Sequence, residues 1–333
     1  MAAAERALLV CAGGGLGDSL VATLVARALR SRYVSVDALT LPAHRSLLER
    51  VPDVSRIFVD DGGSAADIAA TLGGQEYCAA VVTWATPRTA EIPRIAQIPI
   101  RVGQARRLYS HKFTHKVHVR SEMGDVTSHW SEILLDYARA IECDTADVQP
   151  AVLPAEHDER EADHVLDGVG LHEGSFCIVH ATNALAPARK WPTRGWASLV
   201  DEIQRTFTIP VLLSGAGADE SIVADIAANS GGISIAGAIS LGGFAALARR
   251  ALFFAGITTG SMHVAAAVGT PTVGIFPFQS DTPERWAPLG PRTAVVRATF
   301  PCRPGERKET CPDYACIENL DVPRIIAAIM SIT

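Results

Sequence analysis

The sequence predicts an α/β protein made of two parallel-sheet halves in tandem, and three observations carry that prediction. Short β-rich runs alternate with helical patterns along the whole chain, as strands joined by crossover helices do. The chain has 333 residues, enough for two domains at roughly 150 residues each. The alternation loosens once, between residues 144 and 174, where Pro150, Pro154 and the charged stretch 156–163 interrupt it. A linker near 148–154 therefore separates a domain at 1–150 from one at 151–321. A last segment, 322–333, is expected to pack back toward the first half.

In the first half, strands are expected over 7–12, 33–39, 56–59 and 79–84, with a helix over 18–31. A second helix over 129–143 follows from Trp130, Ile133, Leu134 and Tyr137, which recur at helical spacing. Beyond the linker a helix leads into strand 176–181, helix 194–206, strand 209–214, helix 219–228, strand 233–236 and helix 241–250. Strand 251–257, helix 261–268, strand 271–276 and a closing helix at 322–330 complete two Rossmann-like halves.

Composition narrows the function. Hydrophobic residues make up 48% and charged residues 20%, which suits a soluble protein with a sizeable core. Thirty basic against thirty-six acidic residues give a formal charge of −6, so no global basic field exists for nucleic acid. No uncharged apolar run approaches about 18 residues, the length of a membrane span. The start, MAAAERALLVCAGGG, has no basic segment before a signal-type apolar stretch. Seven cysteines are too sparse for a secreted disulfide scaffold. A cytoplasmic protein is expected.

Five segments carry chemistry. The first, CAGGGLGD at 11–18, lies where a strand hands over to a helix, and its glycines admit a ligand close to the backbone. A dinucleotide fingerprint beginning at Gly13 and Gly15 would need a third glycine at 18, where Asp18 stands. Asp37, at the end of the second strand, keeps an NAD-dependent oxidoreductase open as a minority reading. Asp18 itself either serves as a general base in the carboxyl-end crevice of the sheet or caps its helix.

The second segment, HATNALAPARKWPTRGW at 180–196, carries Arg189 and Lys190, cations that suit a phosphate or simply face solvent. Glu220, past the following strand, either accepts from ribose hydroxyls or matches its helix dipole. The third, TTGSMH at 258–263, opens an Ala-rich helix. Thr258, Thr259 and Ser261 offer hydroxyls, Gly260 permits close approach, and the first-turn amides suit a pyrophosphate. His263 adds either a charge-assisted contact or plain packing.

The fourth, 101–120, holds Arg101, Arg106, Arg107, Lys112, Lys116 and Arg120 with His111, His115 and His118 and no acid. In an acidic protein this local field suits a polyanionic acceptor or a membrane surface. The histidines lack the cysteine or carboxylate partners of a metal site. The fifth, Cys302, Cys311 and Cys316, lacks C-x-x-C spacing and an obvious fourth zinc ligand. The chain has no D-x-D pair to hold a metal-bound sugar nucleotide, and no metal or cofactor is called for.

Taken together, these motifs resemble glycosyltransferase family 9, the bacterial ADP-heptose:lipopolysaccharide heptosyltransferases. The likeness rests on GLGDSLVATLVARALR at 15–30, ARKWPTRGW at 188–196 and TTGSMHVAAAVGTPTVGIFP at 258–277, with the cysteine-bearing tail. The resemblance implies a GT-B architecture, two Rossmann-like domains facing across a cleft, with acceptor on the first and nucleotide sugar on the second. It implies a metal-independent, inverting transfer of heptose from ADP-heptose, with the inner core of lipopolysaccharide as acceptor.

On that view Asp18 is the catalytic base and Lys190, with Arg189, stabilises the departing diphosphate. Glu220, Thr258, Thr259, Gly260, Ser261 and His263 bind the donor. Gly17, Arg106, Arg107, Lys112 and Arg120 face an anionic glycan or glycolipid acceptor, with peripheral contact at the inner membrane. The same motifs would serve a relative that uses another nucleotide sugar or acceptor. Two departures from the family pattern, Thr258 in place of an acid or amide and no glycine near Asn183, fall on the donor side. A catalytically silent nucleotide-binding protein is the further alternative.

Overall fold

The computed structural model describes residues 5–181, 191–301, 311 and 314–333. The chain divides into two compact units, Met1–Leu153 and Pro154–Thr333, within the linker expected from Pro150 and Pro154.

The first unit runs β1 (Arg6–Val10), α1 (Leu16–Leu29), β2 (Ser35–Thr40), α2 (Arg45–Leu48), β3 (Ile57–Val59), α3 (Ala65–Thr71), β4 (Tyr77–Val82), α4 (Ile92–Ile95), β5 (Ile100–Gln104), β6 (His115–Val117) and α5 (Trp130–Arg139). Its six strands form one sheet in the order β3-β2-β1-β4-β5-β6, and neighbouring strands pair in parallel throughout. The central strand β1 is apolar on both faces, with Ala7, Leu8, Leu9 and Val10 all buried, as a sheet covered on both sides requires.

The second unit repeats the plan. It runs α6 (Glu156–Val169), β7 (Cys177–His180), α7 (Thr193–Phe207), β8 (Val211–Ser214), α8 (Glu220–Ala228), β9 (Ile233–Ser234), α9 (Leu241–Arg249), β10 (Phe254–Ile257), α10 (Gly260–Ala267), β11 (Thr272–Phe276), α11 (Pro283–Trp286), β12 (Thr293–Arg297), α12 (Ala315–Glu318) and α13 (Val322–Met330). The sheet order β12-β11-β10-β7-β8-β9 matches that of the first unit strand for strand. Each sheet reverses its winding between its first and fourth strands, the place where doubly wound sheets open a crevice at their carboxyl edge.

Two segments add detail to the expected plan. The basic stretch 101–120, expected as a charged face, contains β5 and β6. Both are short, and Val102 and Val117 rather than the cations supply their buried side chains. The closing helix buries Ile325, Ile326 and Ile329 in the core of the second unit, against α7, β11 and β12. Among the described residues no helix is long and apolar enough to cross a membrane.

Candidate active site

Both carboxyl-edge crevices are built by glycines. In the first unit, a Cβ on Gly13 would stand 2.8 Å from Trp84 Cβ just beyond β4, so only glycine lets the loop after β1 lie against the neighbouring strand end. Gly14 has φ +71, and a side chain there would strike the Asp18 carboxylate. The chain then enters α1 with Gly15 as its N-cap. Gly15 has no side chain to cap with, so the capping runs one way: its N–H donates to Asp18 Oδ2 at 2.5 Å. The other carboxylate oxygen takes no hydrogen bond from a described residue. Asp18 therefore does help to cap its helix, through one of its two oxygens. Burial pushes its carboxyl above the ordinary value, while the Gly15 N–H and nearby His44 draw it down less strongly.

His44, absent from the sequence reading, ends a 3-10 turn at Pro42–His44 directly after β2. Its Nδ1 lies 2.8 Å from Ser19 Oγ, beside Asp18, and burial pushes its pKa down. Trp84 was also missed. Its ring stacks on Trp130 at 5.4 Å and 13°, walling the crevice beside the glycine loop. Gly17 lies in the first turn of α1 next to Asp18.

In the second unit the equivalent crevice lies between β7 and β10. Thr259 is the N-cap of α10 but makes no side-chain cap; its hydroxyl donates to Ile257 O at 3.2 Å instead. The first-turn amides at Gly260 and Ser261 are thus left for an anion. Thr258 is tied to the sheet edge through its N–H to Ile275 O. His263 is buried, its ring 6.5 Å from Trp286.

His180, the last residue of β7, is buried, with Nδ1 2.9 Å from Ser214 Oγ and Nε2 3.2 Å from Ser261 Oγ. Burial lowers its pKa to about 4, so it is neutral at physiological pH. Glu220 opens α8, its carboxylate lying over Gly237, where any side chain would strike it. It takes no hydrogen bond from a described residue and is exposed.

The cations of the basic stretch divide. Arg106 and Arg107 lie in the exposed loop after β5, on the same carboxyl edge as Asp18. Arg107 pairs with Glu122. Lys112 pairs with Glu91 at 2.6 Å, and Arg94 and Lys112 together hold that carboxyl down at about 2. Arg120 pairs with Asp136 at 2.6 Å. Arg106 alone of these four meets no carboxylate among the described residues; its Nη1 lies 3.2 Å from Met123 Sδ. Acids from outside the stretch, invisible in its local sequence, do this pairing.

Arg189, Lys190 and Cys302 lie outside the described residues. Cys316 is buried in the second core, and no group of three or more His, Cys, Asp or Glu among the described residues converges as a metal site. Asp37, the acid of the oxidoreductase alternative, is not at the strand end. It pairs with Leu8 inside the sheet, is fully buried, and accepts from Tyr77 Oη at 2.7 Å with Arg6 3.8 Å away.

Two Rossmann-like domains, one with a helix-held carboxylate at its switch point and the other with an anion-ready helix start at its own, are the parts of a GT-B transferase. The chain belongs to glycosyltransferase family 9 (heptosyltransferase), whose family model matches residues 66–315; the Asp18 loop lies ahead of that span. No curated protein matches the chain.

Among solved structures, it is similar to the family 9 glycosyl transferase of Veillonella parvula DSM 2008, at 16% identity and TM-score 0.85, covering 98% of this chain and 97% of that one. It is also similar to the E. coli ADP-heptose lps heptosyltransferase II, at 20% identity and TM-score 0.75, covering 98% and 99%. A third likeness is to the E. coli heptosyltransferase WaaC with ADP, at 17% identity and TM-score 0.73, covering 99% and 100%. These likenesses show the fold, and the family match shows a glycosyltransferase.

Proposed function

We propose that this enzyme moves a heptose from ADP-heptose to a hydroxyl of an anionic glycan or glycolipid, the inner core of lipopolysaccharide, in one inverting displacement. The acceptor oxygen bonds the anomeric carbon as the bond to the diphosphate breaks. The acceptor proton passes to Asp18, and ADP departs with its charge met by the amides of α10 and by Arg189 and Lys190. Glu220 accepts from the ribose hydroxyls, with Thr258, Thr259, Ser261 and His263 around the phosphates. The reading needs no metal.

The observation that carries the proposal is the Asp18 carboxylate, pinned by Gly15 N–H through one oxygen and open at the other, at the carboxyl edge of its sheet. The solved E. coli WaaC complexes with ADP and with ADP-2-deoxy-2-fluoro heptose support adenosine diphosphate as the leaving group. Arg106 is the acceptor contact best placed to act, and Arg107, Lys112 and Arg120 would share their existing partners. A lipid-borne acceptor would bring the enzyme to the inner face of the cytoplasmic membrane by surface contact. Thr258, where the family often carries an acid or amide, favours as second reading the same reaction with another nucleotide sugar.

Thermal shift with ADP, UDP, GDP and NADH tests the donor. A ligand at a hundred times its Kd stabilises by about 2.7 kcal/mol. ADP alone should do so, followed by heptose transfer from ADP-heptose in a direct assay. UDP or GDP would replace the sugar nucleotide but keep the mechanism, and a response to NADH alone would overturn the transferase mechanism.

A further inference from the structure

Ser214, His180, Gly256 and Gly274 form one row across four strands of the second sheet. The register pairs Ser214 with His180, His180 with Gly256, and Gly256 with Gly274, and in parallel pairing such residues share a face. The two glycines leave that face bare where α10 crosses β10 and β11. A Cβ at 274 would meet Met262 Sδ at 2.6 Å, and one at 256 would meet the Phe254 ring at 2.8 Å and His180 Cβ at 3.0 Å. The helix can therefore sit close, bringing Ser261 in its first turn within reach of the imidazole. The ring is held from its sides by Phe254 and Phe244, each with its centroid 6.2 Å away.

We propose that His180 is a positioning residue of the donor site, the middle of a hydrogen-bonded chain that aims the Ser261 hydroxyl at the donor's diphosphate. The inference rests on the donor site proposed above. A neutral imidazole has one donor nitrogen and one acceptor nitrogen. An anion at the first turn of α10 requires the Ser261 hydroxyl to donate, so Ser261 Oγ must accept from His180, which puts the proton on Nε2. Nδ1 is then the acceptor, and Ser214 donates to it. The chain runs Ser214 O–H to Nδ1, Nε2–H to Ser261 Oγ, and Ser261 O–H to a phosphate oxygen. Each bond polarises the next. Burial and the aromatic walls keep water from competing at either nitrogen.

The test is a double-mutant comparison of ADP affinity in the full chain, with folding checked by the unfolding temperature. S261A and H180F should each weaken ADP binding by about three- to tenfold, the range of one neutral hydrogen bond. The double variant should be no weaker than the worse single one, because both break the same chain. H180Q, whose amide nitrogen can stand near the Nε2 position, should recover affinity, while H180N, which mimics Nδ1, should not.

ADP binding unchanged in folded H180F, or effects that multiply in the double variant, would overturn the inference. If H180F does not fold, S214A carries the same comparison: a loss of affinity that vanishes in the S261A background supports the chain, and an additive one overturns it. Failure of the unaltered protein to bind ADP at all would instead sink the donor reading beneath it.

Discussion

A carboxylate at the third position of a helix is useful to the helix and, in a crevice, useful to a substrate; the role proposed for Asp18 draws on both. One oxygen secures the Gly15 amide, and substitutions can separate the two roles. D18N keeps an oxygen for that amide but cannot take a proton, so it should unfold at or above the unaltered temperature while transfer falls by about a hundredfold or more. D18A should lose transfer equally and about 1 kcal/mol of stability as well. Comparable transfer by D18N and the unaltered enzyme would remove Asp18 from the chemistry. The direction of its pKa adds a second expectation. Burial raises the folded value, so the base is protonated at a higher pH than a free carboxylate, and the acid limb of the rate should lie above 3.8. The same shift makes the folded state hold more protons than the unfolded one between those values, so Asp18's own contribution to stability falls as pH rises through that window.

At the scale of elements, the second sheet depends on what its strands lack. Gly256 is the one position in β10 where a side chain would push both the His180 and Phe254 side chains. G256A should cost about 1–3 kcal/mol through overpacking, read from urea unfolding, and weaken ADP binding with it; unchanged stability would mean α10 has room to shift. The closing helix makes the complementary case. Ile329 is fully buried in the second core, and I329A should cost about 2–5 kcal/mol. A surface value near zero in the same measurement would mean that α13 is not part of that core.

For the whole molecule, pH acts through a histidine that is useful because it is neutral. The His180 value of about 4, against an ordinary 6.5, follows from burial, with Asp219 pulling the other way. Below 6.5 the unfolded chain gains a proton there that the folded chain refuses, so stability is lost as pH falls from about 6.5 toward 4, by about 3 kcal/mol at most. H180F should flatten that part of the stability curve while leaving any contribution from His44. A curve unchanged by H180F would mean that His180 titrates alike in the folded and the unfolded chain.

Much of this protein is decided by local patterns. The alternation of strands and helices, the division near Pro154, the glycine loop ahead of Asp18 and the TTGSMH helix start are all set by neighbours within a turn or a strand, where periodicity and glycine content act directly. The short β5, β6 and β12 are not legible: β6 and β12 are edge strands with few buried side chains, and β5, one strand in, buries only Val102 and Gly103. Nor is the fate of the basic stretch, since Glu91, Glu122 and Asp136 reach its cations only when distant segments fold together. Asp37 looked like a strand-end acid until register placed it inside the sheet. His44, Trp84 and the Ser214–His180–Ser261 chain belong wholly to tertiary structure. Their partners lie on different strands and helices, and one sequence read along its length cannot show which side chains two parallel strands set on the same face.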